Sequence, residues 1–180
     1  MQEARTEDTP AGKVVADDGW FILNLAEIGW DRVPGGGTWC VFESPDARSQ
    51  RLGIGVHVLQ PGESPGFYHS ENEQEGFLVL SGECVAVVEG QERRMRAWDY
   101  LHCPPGTAHI TVGAGDGPCA ILMVGTRSPD HGIHYLVDPV AARHGVSVTK
   151  ATDLATEAYA GRPPFGPSSA RSRSPEVESA

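Results

Sequence analysis

PGESPGFYHSENEQEGFLVLSG, residues Pro61–Gly82, carries His69, Glu71 and Glu75 and then runs directly into an apolar strand, Phe77–Leu80, that stops at Gly82. His69 and Glu71 are two residues apart, so on an extended strand both side chains leave the same side. Glu75 follows a short polar turn that can bring it back to meet them. Imidazole and carboxylate together are the donors that hold a borderline or hard divalent ion. A second stretch, WDYLHCPPGTAH, Trp98–His109, repeats the theme and delivers His109 directly after the turn signal Pro104-Pro105-Gly106.

Strands are readable on both sides of these stretches. RLGIGVHVL, Arg51–Leu59, alternates, with Leu52, Ile54, Val56 and Val58 on one face and Gly53, Gly55, His57 and Leu59 on the other. That is the period-two signature of a sheet. WFILNL, Trp20–Leu25, and TWCVF, Thr38–Phe42, read as further strands, and SPDARSQ, Ser44–Gln50, as a surface loop. Phe77–Leu80 and Cys84–Glu89 read as a hairpin around Ser81-Gly82-Glu83, and Glu92–Arg96 returns after Gly90-Gln91. Tyr100–Cys103, Ile110–Val112 and Cys119–Val124 complete the series. Short strands with turn chemistry between them predict an all-β antiparallel sandwich or barrel. Helix is expected only late, as a turn over Asp138–His144 ended by Gly145 and a second within Ala151–Ala160. Residues 1–18 and the Pro/Ser/Arg-rich stretch 161–180 have little to bury and are expected to be unstructured. One domain is therefore expected over 19–150, with a short helix at 151–160.

The formal net charge of −10 argues against nucleic acid and anionic membrane as partners, since both need clustered Lys and Arg. No apolar run reaches the roughly 20 residues of a membrane span. The polar N-terminus, MQEARTEDTPAGK, does not resemble a signal peptide, so a cytoplasmic location is expected. Cys40, Cys84, Cys103 and Cys119 lack CxxC spacing, and reduced, buried, structural thiols are expected of them.

The two stretches together resemble the signature motifs of the cupin family. The first cupin motif reads Gly, five residues, His-x-His, three or four residues, Glu, six residues, Gly. Here Gly62 is followed by six residues, then His69-Ser70-Glu71, three residues, Glu75, six residues and Gly82. The second motif reads Gly, five residues, Pro-x-Gly, two residues, His, three residues, Asn. Here Trp98 stands in the Gly position, Pro104-Pro105-Gly106 and His109 follow, and Gly113 stands in the Asn position. The resemblance implies an antiparallel double-stranded β-helix, a cupin jelly-roll barrel with short C-terminal helical turns. It implies His69, Glu75 and His109 as ligands of one divalent metal ion, Fe, Mn, Zn, Ni or Co. The fourth ligand, normally the second His of His-x-His, falls on Glu71.

Two carboxylates held side by side without metal should leave at least one protonated. Either Glu71 or Glu75, swung off the ion, is then a candidate catalytic base. Phe77 and Val79 share parity with Glu75 and are expected to line the pocket, with His57 beside the room left by two glycines. Trp98 is expected to wedge over the barrel end or to touch a second subunit. Within such a family the expected function is a metal-dependent oxygenase, or an isomerase or lyase, acting on a small-molecule substrate. A non-catalytic small-ligand-binding or metal-binding module is the alternative. A homodimer is the family habit and is expected here.

Overall fold

The computed structural model describes residues 2–10, 12–43 and 48–161. The expected unstructured tail from 162 onward and part of the loop at 44–50 lie outside these residues. Thirteen strands appear in chain order: β1 Thr6–Thr9, β2 Gly12–Val15, β3 Asp31–Val33, β4 Gly37–Val41, β5 Leu52–Leu59, β6 His69–Glu71, β7 Glu75–Ser81, β8 Glu83–Val88, β9 Gln91–Arg96, β10 Tyr100–Cys103, β11 His109–Ala114, β12 Cys119–Thr126 and β13 Ile133–Tyr135. Two short helices follow, α1 Pro139–Arg143 and α2 Ala155–Ala158. The strands form a six-stranded sheet in the order β10-β7-β12-β5-β4-β3 and a five-stranded sheet in the order β13-β6-β11-β8-β9, all pairs antiparallel.

The inner faces of the two sheets meet in one core. Leu59, Phe77, Val79, Cys84, Ala86, Cys103, Cys119 and Ile121 are all buried there. The alternation of β5 behaves as its pattern requires. Its outer residues Val56 and Val58 pack under Ile28 and Trp30 of the preceding segment, while Leu59 faces the core. The outer face of the five-stranded sheet is covered by Tyr68, Ala141 and Val146. Asp138 caps α1, its Oδ1 accepting from Val140 N and Ala141 N at 2.8 Å each, and so seats Ala141 on that face. All four cysteines are buried free thiols.

Four expectations are corrected. Residues 6–15 are not an unstructured arm, because β1 and β2 form a hairpin. Lys13 is tied to Glu27 by an ion pair at 2.8 Å, and Lys13 N donates to Glu27 O. Trp20–Leu25 is not a strand. Apart from one bridge at Trp20, it is an irregular cover whose Leu23 and Leu25 pack on the six-stranded sheet. Phe77–Leu80 and Cys84–Glu89 do not form a hairpin, since β7 and β8 belong to different sheets. Gly82, at φ 71°, turns the chain from one sheet to the other and leaves no room for a side chain: an added Cβ would lie 2.2 Å from Pro118 O. Trp98 is not a wedge, for it stands 76% exposed in the turn between β9 and β10. The β8–β9 connection is the true hairpin, with Glu89 and Gly90 both at positive φ, as a two-residue turn between twisted strands prefers.

Candidate metal centre

The five-stranded sheet brings His69 of β6 directly opposite His109 of β11. Glu75, the first residue of β7, reaches the same place from the other sheet. One donor atom from each of His69, Glu75 and His109 lies within 4.8 Å of the others. The backbone welds the two sequence motifs together at this point, because Gly106 N of the PPG turn donates to Glu71 O at 2.6 Å.

Each imidazole is oriented by the backbone two residues before it. His69 Nδ1 donates to Phe67 O at 2.6 Å and His109 Nδ1 to Thr107 O at 3.0 Å. A carbonyl can only accept, so the proton sits on Nδ1 and the Nε2 lone pair of each ring is left free. This is the usual arrangement behind a metal-bound histidine. His109 Nε2 lies 3.1 Å from Glu75 Oε2, and that oxygen is buried without a hydrogen-bond partner. Two lone-pair atoms at that distance need a cation between them. A divalent ion fits the need, and these residues satisfy it as a hard to borderline donor set. In the absence of an ion, a proton serves. Burial opposes charge on His109, but contacts with Cys103 and Glu75 outweigh it and lift its pKa to about 10. Burial, and then the neighbouring His109, push His69 in the opposite direction.

Glu71 leaves β6 on the same side as His69, as the spacing requires, and its Oε1 lies 3.7 Å from His69 Nε2. It stands next to the three-residue group and outside it. Burial, and then the Glu75 carboxylate, raise its pKa to about 7, which is the protonation expected of adjacent carboxylates. Phe77 walls the site, its ring 5.1 Å from that of His109. Val79 lies two residues further along β7, fully buried in the core. His57 is not brought to the site. It pairs with Ile121, which pairs with Val79, four residues along the strands from the Glu75–Gly125–Gly53 level. At 3.3 Å per residue this is about 13 Å along the strand. Nor do the glycines beside it leave room, because Gly53 is covered by the Arg127 guanidinium and Gly55 by Cys40 O.

Three further residues of this region went unassigned in the motifs. Tyr135 of β13 stands opposite His69, with ring centroids 6.0 Å apart. Cys103 pairs with Glu75 across the β10–β7 ladder and contacts His109. His131 places its Nδ1 3.8 Å from Glu71 Oε2. Cys103 shares parity with Leu101 on a strand the sequence reveals, but His131 and Tyr135 lie beyond both motifs and carry no spacing signal.

Two antiparallel sheets closed around a two-histidine, one-carboxylate cluster define a double-stranded β-helix with a candidate metal centre. The Cupin domain family matches residues 55–125, and the fold is that of the cupin superfamily. Among solved structures, the polyketide cyclase RemF from Streptomyces resistomycificus is 18% identical over 61% of this chain and 82% of its own, with a TM-score of 0.53. KdgF from Halomonas sp. is 22% identical over 63% of this chain and 98% of its own, with a TM-score of 0.51. A sugar phosphate isomerase of the cupin superfamily from Silicibacter pomeroyi DSS-3 is 26% identical, with a TM-score of 0.46; the alignment covers 51% of this chain and 65% of that protein's length. No curated protein matches the sequence. Among the described residues, no helix is long and apolar enough to cross a membrane.

Proposed function

We propose that this cupin is a mononuclear divalent-metal enzyme that acts on a small organic molecule. The observation that carries the reading is the buried, unpartnered Glu75 oxygen facing two imidazoles whose Nε2 lone pairs are held free. Two histidines and one carboxylate with open positions are the donor set of non-haem iron oxygenases, and oxygenase chemistry is the first class proposed. When bound, the ion supplies a Lewis-acid centre with positions open to substrate oxygens. The chain supplies the rest. Phe77 excludes water on one side, and His69 and His109 are kept from rotating by their backbone acceptors. Glu71 favours a second reading, proton transfer of the isomerase or lyase kind. Burial and Glu75 raise this carboxyl to about 7 in the metal-free site, and its place beside the metal group suits it to take up and return a proton.

Protein purified anaerobically should carry close to one equivalent of a divalent first-row metal. His69→Ala and His109→Ala should each abolish that binding while the β-rich circular dichroism spectrum persists. Oxygen uptake with diketones, phenols or sugar acids supports the oxygenase class, and solvent-proton exchange into the same panel supports the isomerase or lyase class. Metal binding without either would leave a non-catalytic ligand-binding module. We also propose a homodimer formed through an open sheet edge. β3 covers β4, whereas β10 forms an edge of that sheet, with Tyr100 exposed at its start and Trp98 exposed in the turn before it. A monomeric mass by light scattering would refute the pairing.

A further inference from the structure

We infer that His131, outside both motifs, is a positioning residue of the metal centre: it holds Glu71 from behind and sets that carboxylate's reach toward the ion. The inference rests on the metal reading above. The Glu71 carboxylate faces two ways, with Oε1 toward His69 Nε2 at 3.7 Å and Oε2 toward His131 Nδ1 at 3.8 Å. Both distances exceed hydrogen-bond length, and a small side-chain rotation brings the His131 Nδ1 within donating reach of Oε2. One oxygen is thus presented to the metal group while the other meets an imidazole on the solvent side. A carboxylate next to a metal is normally held in this way by an outer donor.

His131 is not there by the accident of a loose loop. The connection from β12 to β13 is tied down at both ends by the turn that joins β6 to β7. Asn72 Nδ2 donates to Asp130 O at 2.7 Å, Asn72 Oδ1 accepts from Gly132 N at 2.7 Å, and Asn72 N donates to Gly132 O at 3.1 Å. The residues on either side of His131 are therefore both held by one asparagine. Upstream, Thr126 Oγ1 donates to Glu73 Oε2 at 2.5 Å and accepts from Gln74 N at 3.0 Å. Asn72 and Glu73, polar turn residues without a role of their own in the motifs, acquire one as the clamp that sets this histidine over Glu71. The His131 side chain is 46% exposed, so the ring is not needed to fill the core.

The test is a competition titration of Zn(II) between a chromophoric chelator and the full chain. His131→Phe keeps the ring's bulk and removes its N–H, whereas His131→Gln keeps a donor. Losing an outer partner of this kind weakens metal affinity by about 10- to 100-fold, the loss expected for His131→Phe. His131→Gln should stay within about threefold of wild type, because a donor to Glu71 survives. In a Glu71→Gln background, His131→Phe should add nothing, since coupled residues are non-additive. Unchanged affinity in His131→Phe, or the same loss with and without Glu71, would overturn the assignment. Wild-type affinity in His69→Ala would overturn the metal centre itself, which is a separate failure.

Discussion

His57 offers a test of how dry the barrel interior is. It faces inward from β5 between Gly55 and Leu59, against Ile121 and 6.3 Å from the Trp39 ring. Its Nδ1 is buried with no partner. Burial alone pushes its pKa down from 6.5 to about 4. The unfolded chain therefore binds a proton between these two values that the folded chain refuses. Stability must rise with pH across the window from about 4 to 6.5, and must fall as the solution is acidified through it. Between neutral pH and about pH 5, such a shift amounts to about 2 kcal/mol, and to about 1–2 kcal/mol once the ring's partial exposure is allowed for.

His57→Leu removes the titration and also an unsatisfied polar atom, whose burial costs about 1–3 kcal/mol. The variant should match or exceed wild type in urea denaturation near pH 7.5. Its advantage should then grow by about 1–2 kcal/mol near pH 5. Other acid-sensitive groups cancel in the difference between the two proteins. Parallel stability profiles from pH 7.5 to 5 would show that water or a partner already solvates the imidazole, and the dry-interior reasoning would fail. Metal content should be unchanged in either case, because His57 sits four residues along the strand from the Glu75 level.

Two further outcomes follow from the turns. Trp98 adopts φ 75° in the position where the cupin motif has glycine, and a side chain there costs roughly 1 kcal/mol. Since its ring is 76% exposed, Trp98→Gly should stabilise the monomer by about that amount, and thermal melting reads it; a destabilised or dissociated variant would show instead that the ring is buried in a subunit contact. Gly82→Ala combines a left-handed backbone with a Cβ 2.2 Å from Pro118 O, so β8 is no longer delivered cleanly to the second sheet. Loss of soluble protein is expected, and a variant that folds with near-native melting would refute the close approach.

Much of the fold is written in local pattern, and the corrections show where local pattern ends. β5 was readable because one of its faces lies under Trp30 and the other faces the core, so the alternation is a direct image of the environment. Gly82 was readable as a turn but not as a change of sheet. A hairpin turn and a corner between sheets use the same residue, and only the distant Pro118 decides which it is. The stretch Trp20–Leu25 shows the converse. It has the apolar content of a strand, but that content is spent covering a sheet rather than joining it. The hairpin over 6–15 was hidden because β1 is polar and exposed, both strands are only four residues long, and the contacts that hold it, such as Lys13 to Glu27, lie outside it.

The site divides along the same line. His69 and Glu71 come from one strand, and their common side follows from a two-residue spacing. Bringing His109 opposite His69 requires β6 and β11 to be neighbours in one sheet, and bringing Glu75 to them requires β7 to lie in the other. The motif records the outcome of that topology as residue spacing, which is why these three residues could be named before the sheets were seen. His131 has no such record. Its place depends on a β12–β13 connection held by Asn72, a residue whose sequence context is an ordinary acidic turn. What surrounds the ligands here is therefore set by side-chain clamps between loops, and those clamps, more than the ligands common to the fold, are where this chain's own chemistry is to be sought.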